Sequence, residues 1–322
     1  MQYKSLTVRS PCCSREESRA RLVNTCTPCY DMHMQRALTG ELLKAVSRSF
    51  YLTISHLPAE MREGIAVAYL LARATDSVAD AASASVSRRA ELLRCMAAAI
   101  AGQGEAAELV ADLRRLPVPE NPSEAELLSR FDEALAALRA LPDAQQALVR
   151  TVLATITEGQ LWDLSFFEEH TCVLSDEQTR RYTYRVAGCV GKFWTQLGLA
   201  TMGERFCDPA TEEDMVEAGQ RYGCGLQLVN ILRDREEDAR RGRSYLCSDA
   251  AAWADRAERY LRDGLDYSRR LRTFRLRFAC MLPALLGLKT LAALRRARPG
   301  KRVKIPRRAV YASALRAFFA AL

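Results

Sequence analysis

Several features that would point to common protein classes are missing from this sequence. No apolar run reaches the roughly 18–20 residues that a membrane-crossing helix needs. The most apolar windows, FACMLPALLGL and the terminal ALRAFFAAL, stop well short. The N-terminus has no apolar core of signal-peptide length, so the expected location is cytoplasmic, with peripheral contact at a membrane surface left open. Strand-like alternation and hairpin dipeptides are almost absent, which excludes a β-rich fold. No glycine-rich dinucleotide fingerprint appears either. Histidine is down to three residues, His33, His56 and His170. Acidic residues vanish from the C-terminal end: from Lys289 onward there are ten Lys or Arg and no Asp or Glu.

That last absence explains the formal charge of +8, because the basic end exceeds it and leaves the rest of the chain near neutral. A basic segment carrying Tyr311, Phe318 and Phe319 could meet phosphates, an anionic membrane surface or a diphosphate substrate, or it could be a solvated helix face. A nucleic-acid binding module is the rival reading from another class. It would show a steep salt dependence and no need for magnesium.

Eleven cysteines are scattered through the chain, and those around Cys95, Cys189, Cys224 and Cys280 lie in apolar helical runs, where the thiol packs as a small hydrophobe. Cys12, Cys13 and the CTPC pair Cys26 and Cys29 stand apart near the N-terminus. A zinc site would want a second matched pair or well-spaced histidines, and His33 is the only one nearby. Residues 1–32 are therefore expected to be an unstructured leader, or to precede a start at Met32 or Met34.

From about residue 35 onward helical periodicity dominates. Breaks fall at Leu57-Pro58, between Gly102 and Glu126, at Leu141-Pro142, at CDPATEED and at RARPGKR. Thr211 is positioned to cap the helix after CDPATEED, with acids in its first turn. No loop is long enough to divide residues 33–322, so one large all-α bundle is expected.

Two polar intrusions interrupt the apolar helices. In YLLARATDSVAD, Tyr69, Arg73, Asp76 and Asp80 fall at i, i+4, i+7 and i+11, one narrow stripe at about 100° per residue. In GLQLVNILRDREEDARRGRSYL, Gln227, Asn230, Asp234 and Asp238 repeat that geometry, with Glu237 alongside. One such stripe alone would read as a solvated face. Two, each set in apolar sequence, can oppose one another across a cavity. Clustered carboxylates there resist ionisation unless a cation lies between them, and oxygen ligands of this kind suit magnesium bridging to phosphate. Arg73, Arg233 and Arg243 flank the stripes, and SRSF adds Arg48 between the hydroxyls of Ser47 and Ser49. The implied ligand is a diphosphate.

The segments SRSF, YLLARATDSVAD, YTYRVAGCVG and QLVNILRDREEDARRGRSYL resemble those of the squalene and phytoene synthase family, in the family's order and spacing, from about residue 38 to 310. The resemblance implies a single-domain all-α isoprenoid synthase fold with a central cavity. It implies condensation of two farnesyl diphosphates to squalene through presqualene diphosphate, assisted by magnesium, with manganese as the substitute ion, and reduced by NADPH. Phytoene or dehydrosqualene synthesis is the alternative, and EDARRGRSYL reads much like the phytoene branch. By the same resemblance Asp76 and Asp80 form one metal-binding pair and Asp234 and Asp238 the other, with Glu237 beside them. Ser47, Arg48, Ser49, Arg73, Gln227, Asn230, Arg233 and Arg243 would contact diphosphate. Tyr182, Tyr69 and Arg73 take the catalytic positions, and Tyr184 lies in the same YTYRVAG segment as Tyr182. Gly159 and Asp163 in GQLWDLSFF resemble another family segment, although Trp162 and Phe166 there also fit ordinary core spacing.

Two departures stand out. Positions 77–79 read Ser, Val, Ala where many relatives carry a third acid, and Thr183 replaces a frequent Cys. Because water would quench an allylic cation, the cavity should be apolar with its charges at the mouth. No histidine lies in a matched motif, which leaves acid–base work to Tyr182 or the leaving diphosphate. Arg302 and Lys304, from the richest basic segment, are the candidates for a cofactor phosphate. The chain is expected to act as a monomer, without nucleic acid.

Overall fold

The computed structural model describes residues 38–47, 50–104, 106–116, 121–169, 173–247, 249–297 and 303–322, and among them there is no strand. The expected leader and the CTPC pair lie outside the described residues. A π-helical turn (Leu38–Leu42) leads into α1 (Leu43–Ser47), α2 (Phe50–Ser55) and the long α3 (Ala59–Ala79). Next come α4 (Val86–Ala101), α5 (Ala106–Arg115), α6 (Pro122–Ser129), α7 (Phe131–Ala140) and α8 (Asp143–Glu169). Helix α9 (Asp176–Thr183) runs through a second π-helical turn (Tyr184–Gly188) into α10 (Cys189–Met202). The chain closes with α11 (Glu212–Arg240), α12 (Ala250–Arg270), α13 (Phe274–Leu294) and α14 (Arg307–Ala321).

The helices start and stop where local chemistry directs. Ser85 caps α4 by accepting from the Arg88 backbone N–H, and Gly102 ends that helix in the left-handed region at φ 88°. Ser175 and Gln178 form a reciprocal capping box at the start of α9. Thr211 corrects the sequence reading. It stands at the N-cap position of α11, but its side chain caps nothing; its hydroxyl donates instead to the Asp208 carbonyl.

One apolar core runs from Leu38 to Leu291, and a smaller cluster under α14 joins Met281, Leu285, Ala317 and Ala321. Helix α10 packs on both α3 and α11, the two helices that carry the acidic stripes. Its contact with α11 is backbone against backbone. A Cβ at Gly191 would stand 1.9 Å from the Gly219 carbonyl oxygen, and one at Gly223 would stand 2.2 Å from that of Ala187. No side chain fits there, so glycine sets how near the π-helical turn comes to α11.

Cys189 and Cys280 are buried as expected, Cys224 is half-buried, and Cys95 is exposed. Helix α13 is longer than its apolar windows suggested. Its 21 residues include an 18-residue stretch of mean hydropathy 1.4, which is long and apolar enough to cross a membrane by length and composition; half of that stretch is buried inside the bundle.

Candidate active site

Helix α3 turns most of its length into the core, where Leu70, Leu71, Ala74, Thr75 and Val78 are fully buried. The expected stripe, Tyr69, Arg73, Asp76 and Asp80, emerges on the remaining face, with Asp80 as the C-cap residue. Burial and the nearby charge of Asp80 push the Asp76 carboxyl up to about 6, against the hydrogen bond it accepts from Gln160. That bond, from Nε2 of Gln160 on α8, is 2.6 Å long. Tyr69 donates to the Val46 carbonyl at 3.4 Å.

Arg73 is held by a residue the sequence reading did not include. Its Nη2 ion-pairs with Glu124, in the first turn of α6. Glu124 is also bound by Ser77 Oγ at 3.0 Å and Asn121 Nδ2 at 3.1 Å. Burial would raise its carboxyl, but the Arg73 guanidinium holds it below the ordinary value. Ser77, at one of the positions where a third acid is often found, thus helps hold an acid supplied from another helix.

The second stripe lies on the last turns of α11. Burial and the neighbouring Asp234 push the Asp238 carboxyl up to about 6. Asp234 is clasped by the adjacent Arg233, whose Nε reaches its two oxygens at 3.0 and 3.1 Å. Asn230 Nδ2 contacts Gln227 Oε1 at 3.4 Å. Glu237 is drawn aside into ion pairs with Arg240 at 2.9 Å and Arg241 at 3.3 Å.

Arg243, just past the end of α11, joins the two acidic helices. Its Nη1 lies 3.3 Å from Asp163 on α8 and 4.0 Å from Asp80 at the end of α3. Burial opposes its charge, yet Asp163, Tyr245 and Asp80 together keep it protonated. Asp163 is 5% exposed, and its carboxyl is raised first by burial, against the pull of Arg243. Tyr245 lies beside both Asp163 and Tyr182, and burial together with the Asp163 charge pushes its hydroxyl well above the ordinary value. Its ring stacks on Tyr182 with centroids 4.8 Å apart and planes 19° from parallel. Trp162, Phe166 and Phe167 continue this aromatic wall. Burial raises the Tyr182 hydroxyl well above its ordinary value, with Tyr245 adding to the shift. The charged groups and the aromatic wall thus adjoin one another around Arg243, Asp163 and Tyr245.

Comparison with known proteins places this architecture. The Squalene/phytoene synthase family model matches residues 43–252. The chain belongs to the squalene/phytoene synthase family. It is 28% identical to human squalene synthase over 205 residues, covering 63% of this chain and 44% of that protein. It is 29% identical to the bifunctional lycopene cyclase/phytoene synthase of Pyrenophora tritici-repentis over 232 residues, covering 68% of this chain and 36% of that protein. The chain thus spans less than half the length of these curated relatives. Its fold resembles that of TcSQS with the ligand E5700, with a TM-score of 0.70 at 22% identity, covering 89% of this chain and 87% of that one. A dehydrosqualene synthase in complex with ligand gives a TM-score of 0.58 at 19% identity, covering 90% of this chain and 96% of that one.

Among the described residues, no three His, Cys, Asp or Glu side chains come together as a metal cage. The donor set nevertheless fits the divalent cation expected in a squalene/phytoene synthase. Two carboxyls, Asp76 and Asp238, are destabilised as anions by burial and by a like charge one turn away, the condition a cation relieves. Gln160 Oε1, whose amide nitrogen holds Asp76, is buried without a hydrogen-bond partner. Magnesium keeps water and takes phosphate oxygens, so it needs few protein ligands.

The remaining expected site residues are distributed unevenly. Ser47 is buried, its hydroxyl without a hydrogen-bond partner. Arg48, Ser49 and Arg302 lie outside the described residues. Lys304 is exposed on the segment that leads into α14. The sequence reading singled out Asp163 but gave it no role, and it omitted Tyr245, Gln160 and Glu124. Tyr245 sits in GRSYL beside Arg243, so a polar aromatic at that spot was the one local signal available.

Proposed function

We propose that this chain condenses two farnesyl diphosphates head to head, through presqualene diphosphate, to squalene, with magnesium-assisted loss of diphosphate and hydride from NADPH. The observation that carries this reading is Arg243, whose guanidinium reaches Asp80 of the first acidic stripe and Asp163 while its backbone N–H donates to the Asp238 carbonyl of the second stripe. A metal held there supplies charge neutralisation for the departing diphosphate.

The chain's own residues supply the rest. Asp76 and Asp80 on one side, with Asp234 and Asp238 on the other, would hold the metal. Arg233 and Arg243 offer guanidinium donors to the phosphate oxygens as charge builds on them. Arg73, neutralised by Glu124, adds direction more than net charge. Trp162, Phe166 and Tyr182 line the apolar side; they exclude water and present ring faces that stabilise a carbocation. Tyr182 keeps its proton at neutral pH. Its hydroxyl can therefore accept or return a proton only in concert with Tyr245 and Asp163, or with the leaving diphosphate.

Purified chain incubated with labelled farnesyl or geranylgeranyl diphosphate and magnesium, with and without NADPH, tests the reading. Squalene should form from farnesyl diphosphate with NADPH, and presqualene diphosphate or dehydrosqualene should accumulate without it. Charge reversal at Lys304 should raise the apparent KM for NADPH more than that for farnesyl diphosphate. If NADPH alters neither product nor rate and geranylgeranyl diphosphate is the better substrate, phytoene synthesis replaces squalene synthesis.

A further inference from the structure

Glu124 stands in the first turn of α6, three residues after the N-cap Asn121, which accepts from the Ser123 backbone N–H at 3.2 Å. A glutamate at that position ordinarily serves its own helix, by facing the positive end of the macrodipole or by closing a capping box. Here the carboxylate reaches a different helix. Its Oε1 meets Arg73 Nη2 and Asn121 Nδ2, and its Oε2 accepts from Ser77 Oγ. Both oxygens are held, so a buried anion is fixed in place beside the first acidic stripe. Asp76, whose carboxyl is raised first by burial and by Asp80, also feels the Glu124 charge.

Arg73 is only partly satisfied by this partner. A guanidinium has five N–H donors; Nη2 goes to Glu124, whereas Nε is buried without a hydrogen-bond partner. The arginine lies one turn before Asp76 on the same stripe. Left without a counter-ion there, it would grip a diphosphate firmly, and would grip the diphosphate product as firmly as the substrate. Holding substrate, transition state and product alike does not raise turnover. A carboxylate against the same guanidinium changes that balance, because it offsets the charge that a phosphate meets and fixes the plane of the fork.

We propose that Glu124 is a positioning residue for this reaction, orienting Arg73 against the diphosphate and, by sharing its charge, easing release of the diphosphate product. The proposal rests on the reading that Arg73 meets the diphosphate.

Titration calorimetry of the full chain with inorganic pyrophosphate and magnesium tests it. Glu124→Gln keeps the shape of the side chain and removes its charge, so pyrophosphate should bind tighter by about threefold or more. In steady-state turnover kcat and KM for the prenyl diphosphate should both fall, the pattern of a ground state held too well. A purely structural role would weaken binding instead. Arg73→Met should bind pyrophosphate about tenfold more weakly. Adding Glu124→Gln to that variant should change the affinity by less than about twofold, because the glutamate acts through the arginine. Glu124→Asp draws the charge back by one methylene and should tighten binding in the same direction but by less; it decides the question where the glutamine variant does not fold. Unchanged or weaker pyrophosphate binding in the Glu124 variants would overturn the proposal, as would an equal gain in the Arg73→Met background. A wild-type chain that binds no pyrophosphate would overturn the reading of Arg73 as well, which separates the two failures.

Discussion

Glu124 closes an ion pair on Arg73 across 51 positions of sequence, in the middle of the first acidic stripe. The glutamate is 8% exposed at its side chain and the arginine 31%. An arginine that the stripe presents as a free phosphate donor is therefore already fixed, and α6 is fastened to α3 by the same contact.

Glu124→Gln should destabilise the fold by about 1–2 kcal/mol, because Arg73 keeps its charge and loses its partner; partial exposure moderates the cost. Urea denaturation measures this. Combining it with Arg73→Met should recover part of the loss, and strict additivity of the two would mean the pair is not coupled.

Asp76→Asn and Asp234→Asn should each abolish turnover and leave the fold intact, since each substitution removes a charge from a like-charged pair without opening a cavity. Product analysis and thermal melting without metal give the two readouts. Full turnover in either variant would remove the metal-site reading.

Stability should carry a signature of the same carboxyls. The folded-state values of Asp76 and Asp238, raised to about 6, lie above the unfolded value of about 3.9. The folded chain thus binds more protons between about pH 4 and 6, and their contribution to stability falls as pH rises through that window. Wild type and Asp76→Asn should melt alike near pH 4. At pH 7 the variant should be the more stable by on the order of 1 kcal/mol. Magnesium should narrow that gap at pH 7 and lose its effect below about pH 5, as protons displace it.

Tyr245→Phe keeps the ring that stacks on Tyr182 and deletes a hydroxyl near Tyr182 and Asp163. The expected result is a fall in kcat of about tenfold or more with little change in KM. Tyr182→Phe should cost more, on the order of 10²–10⁴-fold if its hydroxyl carries the proton. Equal activity of Tyr245→Phe and wild type would show that the Tyr245 hydroxyl does no catalytic work.

Gly191→Ala would drive a Cβ to within 1.9 Å of the Gly219 carbonyl oxygen. Neither helix can yield without moving its neighbours, so the loss should be about 3 kcal/mol or more. A thermal melt of the variant within a degree or two of wild type would contradict the backbone contact.

The legible part of this protein is what a helix determines about itself. Apolar periodicity fixed the class, and the 3.6-residue repeat put Tyr69, Arg73, Asp76 and Asp80 on one face and Gln227, Asn230, Asp234 and Asp238 on another, because residues at those spacings share a side whatever surrounds them. Capping chemistry was less legible. Thr211 has the right residue type at the right place, but the turn before it, led by Asp208, claims its hydroxyl.

What the tertiary structure alone decided is which polar groups meet. Nothing in local spacing tells that Glu124 pairs with Arg73, that Gln160 from α8 steadies Asp76, or that Arg243 reaches Asp163 and Asp80 at once. Nor does it tell that Tyr245 backs Tyr182. Those contacts depend on how near α8, α10 and α11 approach one another, which is set by buried side-chain volume and by glycines such as Gly191 and Gly219, and such packing has no period along the chain.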